Sequence, residues 1–190
     1  TIIDLLSTSG LRIVGVKKFK MTVAQAEEFY GPVREVLREK FKGHGMSKAA
    51  ELLARELGFE IPEASQPPLG DLLAPLYAKA QFESIVKYMT GYKPSECSES
   101  EKGVLAREGC LALVYDGVDA VHKIRTILGS TDPHKARPGS VRREFGSDIM
   151  MNAAHASDSP ENAEREMRII KVEEDNIKPL VDRYYGESVA

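Results

Sequence analysis

Short apolar stretches alternate with polar segments along the chain, and their spacing predicts a mixture of helices and strands. The chain opens with the apolar spacing of a helix that ends at Gly10, because glycine suits the left-handed position after a helix. The alternation in LRIVGVKKF, residues 11–19, predicts a strand rich in β-branched residues. Thr22 and Gln25 have the spacing of a capping box and predict the start of the next helix.

The middle of the chain is predicted to be helical. After a break at Gly31-Pro32, one helix is expected to run to about Phe41, and another from Ser47, its cap, to Leu57, before Gly58. The apolar stripe that this second helix is predicted to bury consists of Leu52, Leu53 and Leu57.

A further helical stretch is predicted over residues 70–89, as one helix or as two with the break expected at Pro75. The proline-rich residues 59–69 and the polar residues 91–108 are predicted to be loops.

The second half of the chain alternates between strand and helix signals. It predicts, in order, a buried strand over 110–117, a helix over 119–128, a loop over 129–140 and a short strand within 141–149. A last helix is predicted over 160–170, with Ser159 as its cap and with Ala163, Met167 and Ile170 facing inward. The tail after residue 171 is expected to pack on the outside.

Composition places the chain among ordinary globular proteins. Apolar residues make up 42% and charged residues 29% of the 190 positions, which predicts one domain and excludes disordered and fibrous proteins. The net charge of -3 gives no overall attraction to nucleic acid or to an anionic membrane. Cys97 and Cys110 match neither a disulfide framework nor a zinc motif, which favours the cytoplasm. No apolar run approaches the roughly 20 residues that a membrane span needs.

His155 is the histidine best placed for chemistry. It lies just before a predicted helix N-terminus, where unpaired backbone N–H groups favour negative charge. An imidazole there could accept a phosphoryl group. Ser157 lies two residues on, and Glu166 could reach back from the helix to orient the ring. On spacing alone, a loop histidine beside an ordinary helix cap is the alternative.

A second group of candidate residues surrounds the glycine- and proline-rich loop over 129–140. One bend there could aim the guanidinium groups of Arg125 and Arg142 and the hydroxyl of Thr131 at a phosphate chain. Further bases nearby are Lys135, Arg137 and Arg143. A solvated charged surface is the alternative. The sequence contains no Walker-type phosphate loop, H-E-x-x-H or G-x-S-x-G motif, so any phosphate site is built in another way.

The segment from Asn152 to Ser159, N-A-A-H-A-S-D-S, and the following P-E-N-A-E-R-E resemble the active-site signature of nucleoside diphosphate kinases, N-x-x-H-G-S-D-S with a downstream S-A-E-x-E. The resemblance covers most of residues 1–33 and 81–170, through LRIVGVKKF, AEEFY, VKYMTG, LALVYDG, GSTDP and PGSVRREFG in the family's order. It implies the α+β class: a ferredoxin-like α/β sandwich with an antiparallel sheet covered by helices, here with an extra helical insertion.

The same resemblance implies an activity and a set of roles. A nucleoside triphosphate would give its γ-phosphate to His155, and a nucleoside diphosphate would then accept it. The implied roles are orientation of the imidazole by Glu166, contact with it by Ser157, packing beside it by Tyr30, phosphate binding by Arg125, Thr131 and Arg142, sugar binding by Asn152, and base contact by Ile149 and Ile85. Mg²⁺ would bridge the phosphates, held mainly by the nucleotide. The family also implies a homo-oligomer, with no membrane or specific nucleic acid as partner.

Several departures from the family pattern qualify these expectations. The family's first strand carries a K-P-D motif, which we expect upstream of Thr1. Gln81 stands where the family has the phenylalanine that stacks on the base. Ala156 replaces the usual glycine, which requires that residue 156 need no positive φ. A nucleotide-binding regulatory protein on the same fold, without turnover, is therefore the alternative function.

The chain is predicted to be a single domain, residues 1–190, with insertions at about 34–80 and 91–108. The first insertion is either a packed surface elaboration that alters oligomer contacts or a lid that reshapes base recognition.

Overall fold

The computed structural model describes residues 1–175 and Arg183. The chain divides into two compact units, which we call the strand unit (residues 1–20 and 109–190) and the helical unit (residues 21–108). The strand unit contains α1 (Ile2–Ser7), β1 (Arg12–Lys20), β2 (Gly109–Asp116), α7 (Ala120–Leu128), α8 (Val141–Phe145), α9 (Pro160–Ile169) and a 3-10 turn, Val172–Asp175. The helical unit contains α2 (Val23–Phe29), α3 (Val33–Lys40), a π turn (Phe41–Gly45), α4 (Met46–Leu57), α5 (Gln66–Thr90), α6 (Glu99–Lys102) and 3-10 turns at Glu63–Ser65 and Pro94–Glu96.

In the strand unit, β1 and β2 pair antiparallel, from Arg12 opposite Asp116 to Lys20 opposite Gly109. Beside this pair a buried cluster forms around Leu6, Leu128 and Val141. The partly buried side chains packed against it are Ile2, Leu5, Leu113, Tyr115, Ile124, Ile127, Ala154 and Ala156. The last two of these flank His155, so the core of this unit holds the backbone of the candidate site on both sides.

Most of the elements predicted for the strand unit are confirmed. The opening helix stops before Gly10, which has φ +72°, and both strands, the helix ending before Gly129 and the helix after Ser159 are present. The strand over 110–117 is only partly buried, however, and Leu111 is exposed. The predicted packing of the tail falls mainly on residues outside the described part.

The short strand predicted within residues 141–149 is wrong, because residues 141–145 form α8. Its N-terminal residue Val141 is fully buried, and the Glu144 side chain accepts a hydrogen bond from the Gly139 N–H at 2.9 Å. One buried residue and a short-range hydrogen bond of this kind suit a single helical turn. A strand would need a neighbour for its backbone hydrogen bonds.

The helical unit packs around Phe41, Met46, Ala50 and Ala74. The rings of Phe41 and Tyr77 lie 4.8 Å apart. The helix α5 runs unbroken through Pro75, so the expected break there is wrong. Because proline has no N–H, the carbonyl four residues earlier in the helix loses its hydrogen-bond donor. That residue, Asp71, is exposed, where water can replace the donor.

Two loop predictions for the helical unit are wrong in part. The segment 59–69 contains the 3-10 turn and the start of α5, whose first turn accommodates Pro67 and Pro68. The segment 91–108 contains the 3-10 turn Pro94–Glu96 and α6.

The buried stripe predicted for α4 is also wrong. The π turn joins α3 to α4 directly, so Ser47 is not the cap, although Gly58 ends the helix as predicted with φ +72°. The helix buries Met46 and Ala50 in its first half. Leu52, Leu53 and Leu57 follow in its second half and are exposed.

Candidate active site

The backbone on either side of His155 is fixed, while its ring remains accessible. Ala154 and Ala156 pack against the core of the strand unit, and the His155 side chain is 43% exposed. Among the described residues, the non-glycine positions with positive φ are Asp119, Ala153 and Lys171. Ala156 is not among them, so the alanine that replaces the family's glycine fits without backbone strain. The left-handed residue is instead Ala153, two positions before the histidine.

The helix that follows His155 begins as the sequence predicts. The Ser159 hydroxyl accepts a hydrogen bond from the Asn162 N–H at 3.1 Å, and Pro160 occupies the first helical position. This arrangement satisfies one N-terminal donor of α9 and fixes where the helix begins, five residues after the histidine.

Glu166 brings the predicted catalytic side chains of the strand unit together. Its Oε2 lies 2.9 Å from His155 Nε2 and accepts a hydrogen bond from the Ser157 hydroxyl at 2.6 Å. The glutamate is buried, with 8% of its surface exposed. A buried carboxylate needs such partners because its desolvation is costly. The imidazole therefore has one nitrogen engaged by a fixed acceptor, and its orientation is set.

Two arginines hold the peptide groups next to the histidine. Arg142 donates from Nε and Nη2 to the Ala154 carbonyl at 3.2 and 2.9 Å, and from Nη1 to the Gly129 carbonyl at 2.9 Å. Arg125 donates from Nη1 to the Ala156 carbonyl at 3.4 Å. Burial, and secondarily the charge of Arg125, lowers the pKa of Arg142. Two like charges held this close to one loop make a site that an anion would stabilise.

The loop over 129–140 is folded on itself. Thr131 is exposed, and Arg137 donates to the Thr126 carbonyl at 3.2 Å. Arg143 reaches the carbonyls of Pro133 and His134. Lys135 is exposed, 3.9 Å from the Asp132 carboxylate. Of the additional bases, Arg137 and Arg143 thus tie the loop together, and the phosphate-binding role of Thr131 stays a prediction.

The remaining predicted nucleotide contacts of the strand unit lie in the turn before His155. Asp148 Oδ1 accepts the N–H groups of Met150 and Met151, and the Asn152 amide donates to the Ile149 carbonyl at 2.9 Å. Ile149 is exposed. The Asn152 side chain thus closes its own turn, and its contact with a sugar and that of Ile149 with a base stay predictions.

Tyr30 and Ile85 belong to the helical unit. Tyr30 caps the C-terminus of α2, with its ring 4.9 Å from that of Phe29, and Ile85 is a partly buried residue of α5. Their predicted roles beside His155 and the base stay predictions.

Sequence reasoning missed a set of polar residues that begins at Asp158, just before α9, and continues along the first two turns of that helix. The Asn162 amide donates to Asp158 Oδ1 at 2.6 Å, and its Oδ1 accepts from Arg165 Nε at 3.3 Å. Arg165 Nη2 lies 3.6 Å from Glu166 Oε1. The hydrogen bond from Asn162, with smaller effects of Arg125 and His155, lowers the pKa of Asp158. The signal was the spacing of four and three residues, which places these side chains on neighbouring turns.

Within residues 1–175, no group of three or more His, Cys, Asp or Glu side chains is placed to hold a metal ion. The described helices include none with both the length and the apolar character of a membrane span.

Comparison with known proteins identifies relatives over most of the chain. The family described as nucleoside diphosphate kinase matches residues 64–175. The nucleoside diphosphate kinase of Pyrobaculum aerophilum is 30% identical over 177 residues, which cover 88% of this chain and 82% of that protein. The enzyme of the same name from Archaeoglobus fulgidus is 46% identical over 59 residues, only 31% of this chain and 39% of that protein.

Solved structures agree with these sequence matches. The crystal structure of an NDP kinase from Pyrobaculum aerophilum aligns with a TM-score of 0.55 at 28% identity, covering 92% of this chain and 87% of that chain. Together with the antiparallel pair of strands and the helices of the strand unit, this likeness confirms the predicted ferredoxin-like α+β class.

Proposed function

The chain belongs to the nucleoside diphosphate kinase family, and we propose that it transfers the γ-phosphate of a nucleoside triphosphate to a nucleoside diphosphate through His155. The observation that carries this proposal is the contact of 2.9 Å between His155 Nε2 and the buried Glu166 carboxylate. Two arginines bound to the peptide groups on either side of the histidine add to it. This geometry supports phosphotransferase activity over nucleotide binding without turnover, because binding alone does not need an oriented nucleophile.

The contact with Glu166 determines which ring nitrogen reacts. Because Nε2 is engaged by the carboxylate, it carries the ring proton, and the lone pair of the imidazole is on Nδ1. In the first half-reaction, Nδ1 forms a bond to the γ-phosphorus as the bond to the bridging oxygen breaks, and the nucleoside diphosphate leaves. In the second, a terminal oxygen of another diphosphate attacks the same phosphorus, and the N–P bond breaks. The Glu166 carboxylate balances the positive charge that the ring gains in between.

The positive charges around His155 supply the remaining stabilisation. Phosphoryl transfer depends mainly on alignment and on neutralisation of the phosphate oxygens. Arg142 uses three of its five N–H donors on protein carbonyls, so at most two remain to contact a phosphate. Arg125 contributes a second guanidinium, and the first turn of α9 adds its partial positive charge. We assign Thr131 to the same phosphates because it lies in the loop that Arg142 anchors.

Nucleoside tri- and diphosphates are the proposed substrates, and Mg²⁺ is the proposed cofactor. We propose that the cation is held chiefly by the phosphates, as Mg²⁺ commonly is. When bound, Mg²⁺ neutralises phosphate charge. A homo-oligomer and a cytoplasmic location stay predictions.

Labelling with γ-³²P-ATP tests the proposal. The full chain should acquire an acid-labile, base-stable label that passes to any added nucleoside diphosphate, and His155→Ala should acquire none. The matched control is His122→Ala, which removes an exposed histidine of α7 and should label normally. Nucleotide binding without label, or undiminished labelling of His155→Ala, would contradict the proposal.

We propose that residues 1–190 form a single domain with insertions at about 34–80 and 91–108. If residues 34–80 form a lid, adding ADP should slow their hydrogen exchange. Unchanged exchange would instead favour a surface elaboration.

A further inference from the structure

Beyond the His155–Glu166 contact, the first two turns of α9 contain a hydrogen-bonded series of side chains that the activity as described does not use. Glu166 presents two oxygens with different partners. Oε2 faces His155 and Ser157, and Oε1 lies 3.6 Å from Arg165 Nη2. A carboxylate held through one oxygen can pivot about that contact. A cation at the other oxygen fixes its plane.

Arg165 does not reach this position through helix geometry alone. Neighbouring residues of an α-helix diverge by about 100° around the axis, so the Arg165 side chain must bend back toward Glu166. Asn162, one turn earlier, holds it there by accepting a hydrogen bond from Nε at 3.3 Å. The side chain of Arg165 is 28% exposed, which leaves its charge only partly screened by solvent.

Asn162 is itself oriented by Asp158. Its Nδ2 donates to Asp158 Oδ1 at 2.6 Å, which decides the orientation of the amide, because only Nδ2 can donate to a carboxylate. The Asn162 Oδ1 therefore faces Arg165. The contacts form one path from the N-terminus of α9 to the carboxylate behind the nucleophile.

We propose that Arg165, held by Asn162, is a positioning residue for phosphoryl transfer: it fixes the plane of the Glu166 carboxylate and so keeps the His155 ring aligned with the incoming phosphate. The inference rests on the proposed function of His155. Arg165 acts through Glu166, and so its removal slows the chemical step and leaves nucleotide affinity unchanged.

The experiment is single-turnover phosphorylation of the full chain by γ-³²P-ATP over a range of ATP concentrations. Arg165→Met should lower the maximal rate about three- to tenfold without changing the ATP concentration at half the maximal rate. Arg165→Lys keeps the charge but not the planar guanidinium group with its several N–H donors, and it should recover part of the lost rate. Arg168→Met, which removes an exposed arginine from the same helix, is the control and should react normally.

The decisive comparison is made in a Glu166→Gln background. If Arg165 acts through the carboxylate, Arg165→Met should cause no further loss there. The ¹⁵N shifts of the His155 ring supply a second readout, because a less firmly held carboxylate lowers the population of the tautomer protonated on Nε2. A purely structural role would leave that tautomer unchanged.

Three results would overturn the inference: an unchanged maximal rate in Arg165→Met, a loss of equal size in both backgrounds, or an effect confined to the half-saturating ATP concentration. Should Arg165→Met fail to fold, Asn162→Ala takes its place and is expected to lose rate in the same direction and with the same dependence on Glu166. Failure of the proposed function is distinct, because it shows as labelling that is absent from the native chain or retained in His155→Ala.

Discussion

Two helices of this chain end with the same local sequence but differ in what they bury. Leu57 is the last residue of α4 and precedes Gly58, and Leu128 is the last residue of α7 and precedes Gly129. Both glycines have positive φ. Yet Leu57 is 62% exposed and Leu128 only 1%. The glycine after each helix sets where it ends, and tertiary packing alone decides which leucine is covered.

The cause lies in what surrounds each helix. Leu128 packs with Leu6, from the first chain segment of the strand unit, and with Val141, and the same cluster contains the alanines beside His155. In contrast, α4 packs through Met46 and Ala50 in its first half. The core around Leu128 thus also supports the candidate site. Both units leave some large apolar side chains exposed, such as Leu111 in the strand unit and Leu72 in the helical unit, so the difference between Leu57 and Leu128 is set locally at each helix.

The largest effect is expected from the same truncation in both helices. Leu128→Ala should lower the free energy of unfolding by about 2–5 kcal/mol, because it leaves a cavity in a filled cluster. Leu57→Ala should change it by less than about 0.5 kcal/mol. Urea unfolding followed by circular dichroism measures both. Equal losses would mean that Leu57 is covered in solution, and the contrast between the two helices would then fail.

The next contrast uses two buried glutamates. Glu166 and Glu83 are 8% and 9% exposed, but Glu83 of the helical unit contacts Ser95 and Lys93 rather than a histidine. Glu166→Gln should slow phosphorylation of His155 by about 10- to 1,000-fold, through loss of ring orientation and of charge balance. Glu83→Gln should leave the rate unchanged. Quenched-flow measurement with γ-³²P-ATP distinguishes them, and comparable slowing in both variants would indicate a general loss of structure.

The sequence alone could predict those elements that depend on interactions between nearby residues. Caps and breakers such as Thr22, Gly58 and Ser159 depend on interactions within a few residues, and the elements that they begin or end are confirmed. The strand predicted within residues 141–149 is wrong because burial of Val141 among distant residues fixes a helical turn there. The exposure of the α4 leucines has the same origin.

In the candidate site, too, the sequence predicted what depends on nearby residues and missed what depends on distant contacts. A contiguous motif brought His155 and Ser157 to attention, and helical periodicity brought Glu166. The path from Asp158 through Asn162 to Arg165 was missed, because a charged helical face is usually solvated and spacing alone does not show which polar side chains meet. The attachment of Arg142 to the Ala154 carbonyl required the folded chain.

A smaller effect on the free energy of unfolding is expected at Ala153 and Ala156. The first position is governed by backbone conformation and the second by packing. Ala153 has φ +73°, a conformation that disfavours any side chain, so Ala153→Gly should stabilise the protein by about 0.5–1 kcal/mol. Ala156 lacks this strain and packs on the core. Ala156→Gly should therefore destabilise by about 1 kcal/mol, even though it restores the family's usual residue. Thermal unfolding measures both, and a shift of the same sign in the two variants would contradict the backbone argument.

The smallest effect is expected from the acid dependence of stability. The hydrogen bond from Asn162 lowers the pKa of Asp158 in the folded chain. The stabilisation is therefore fully present above the unfolded value, near pH 4, and is lost as the pH falls through the lower folded value. Because this carboxylate is largely solvated, its contribution should stay well under about 1 kcal/mol. Asp158→Asn should flatten the fall in unfolding free energy below pH 4 and leave its slope near neutral pH unchanged.

A matching carboxylate in the helical unit is Glu101, whose pKa is lowered by the Ser98 hydroxyl and N–H. Glu101→Gln should therefore also flatten the fall in unfolding free energy below pH 4. Urea titrations at a series of acidic pH values test both, and an unaltered acid slope in Asp158→Asn would show that the Asn162 contact does not hold the carboxylate in solution.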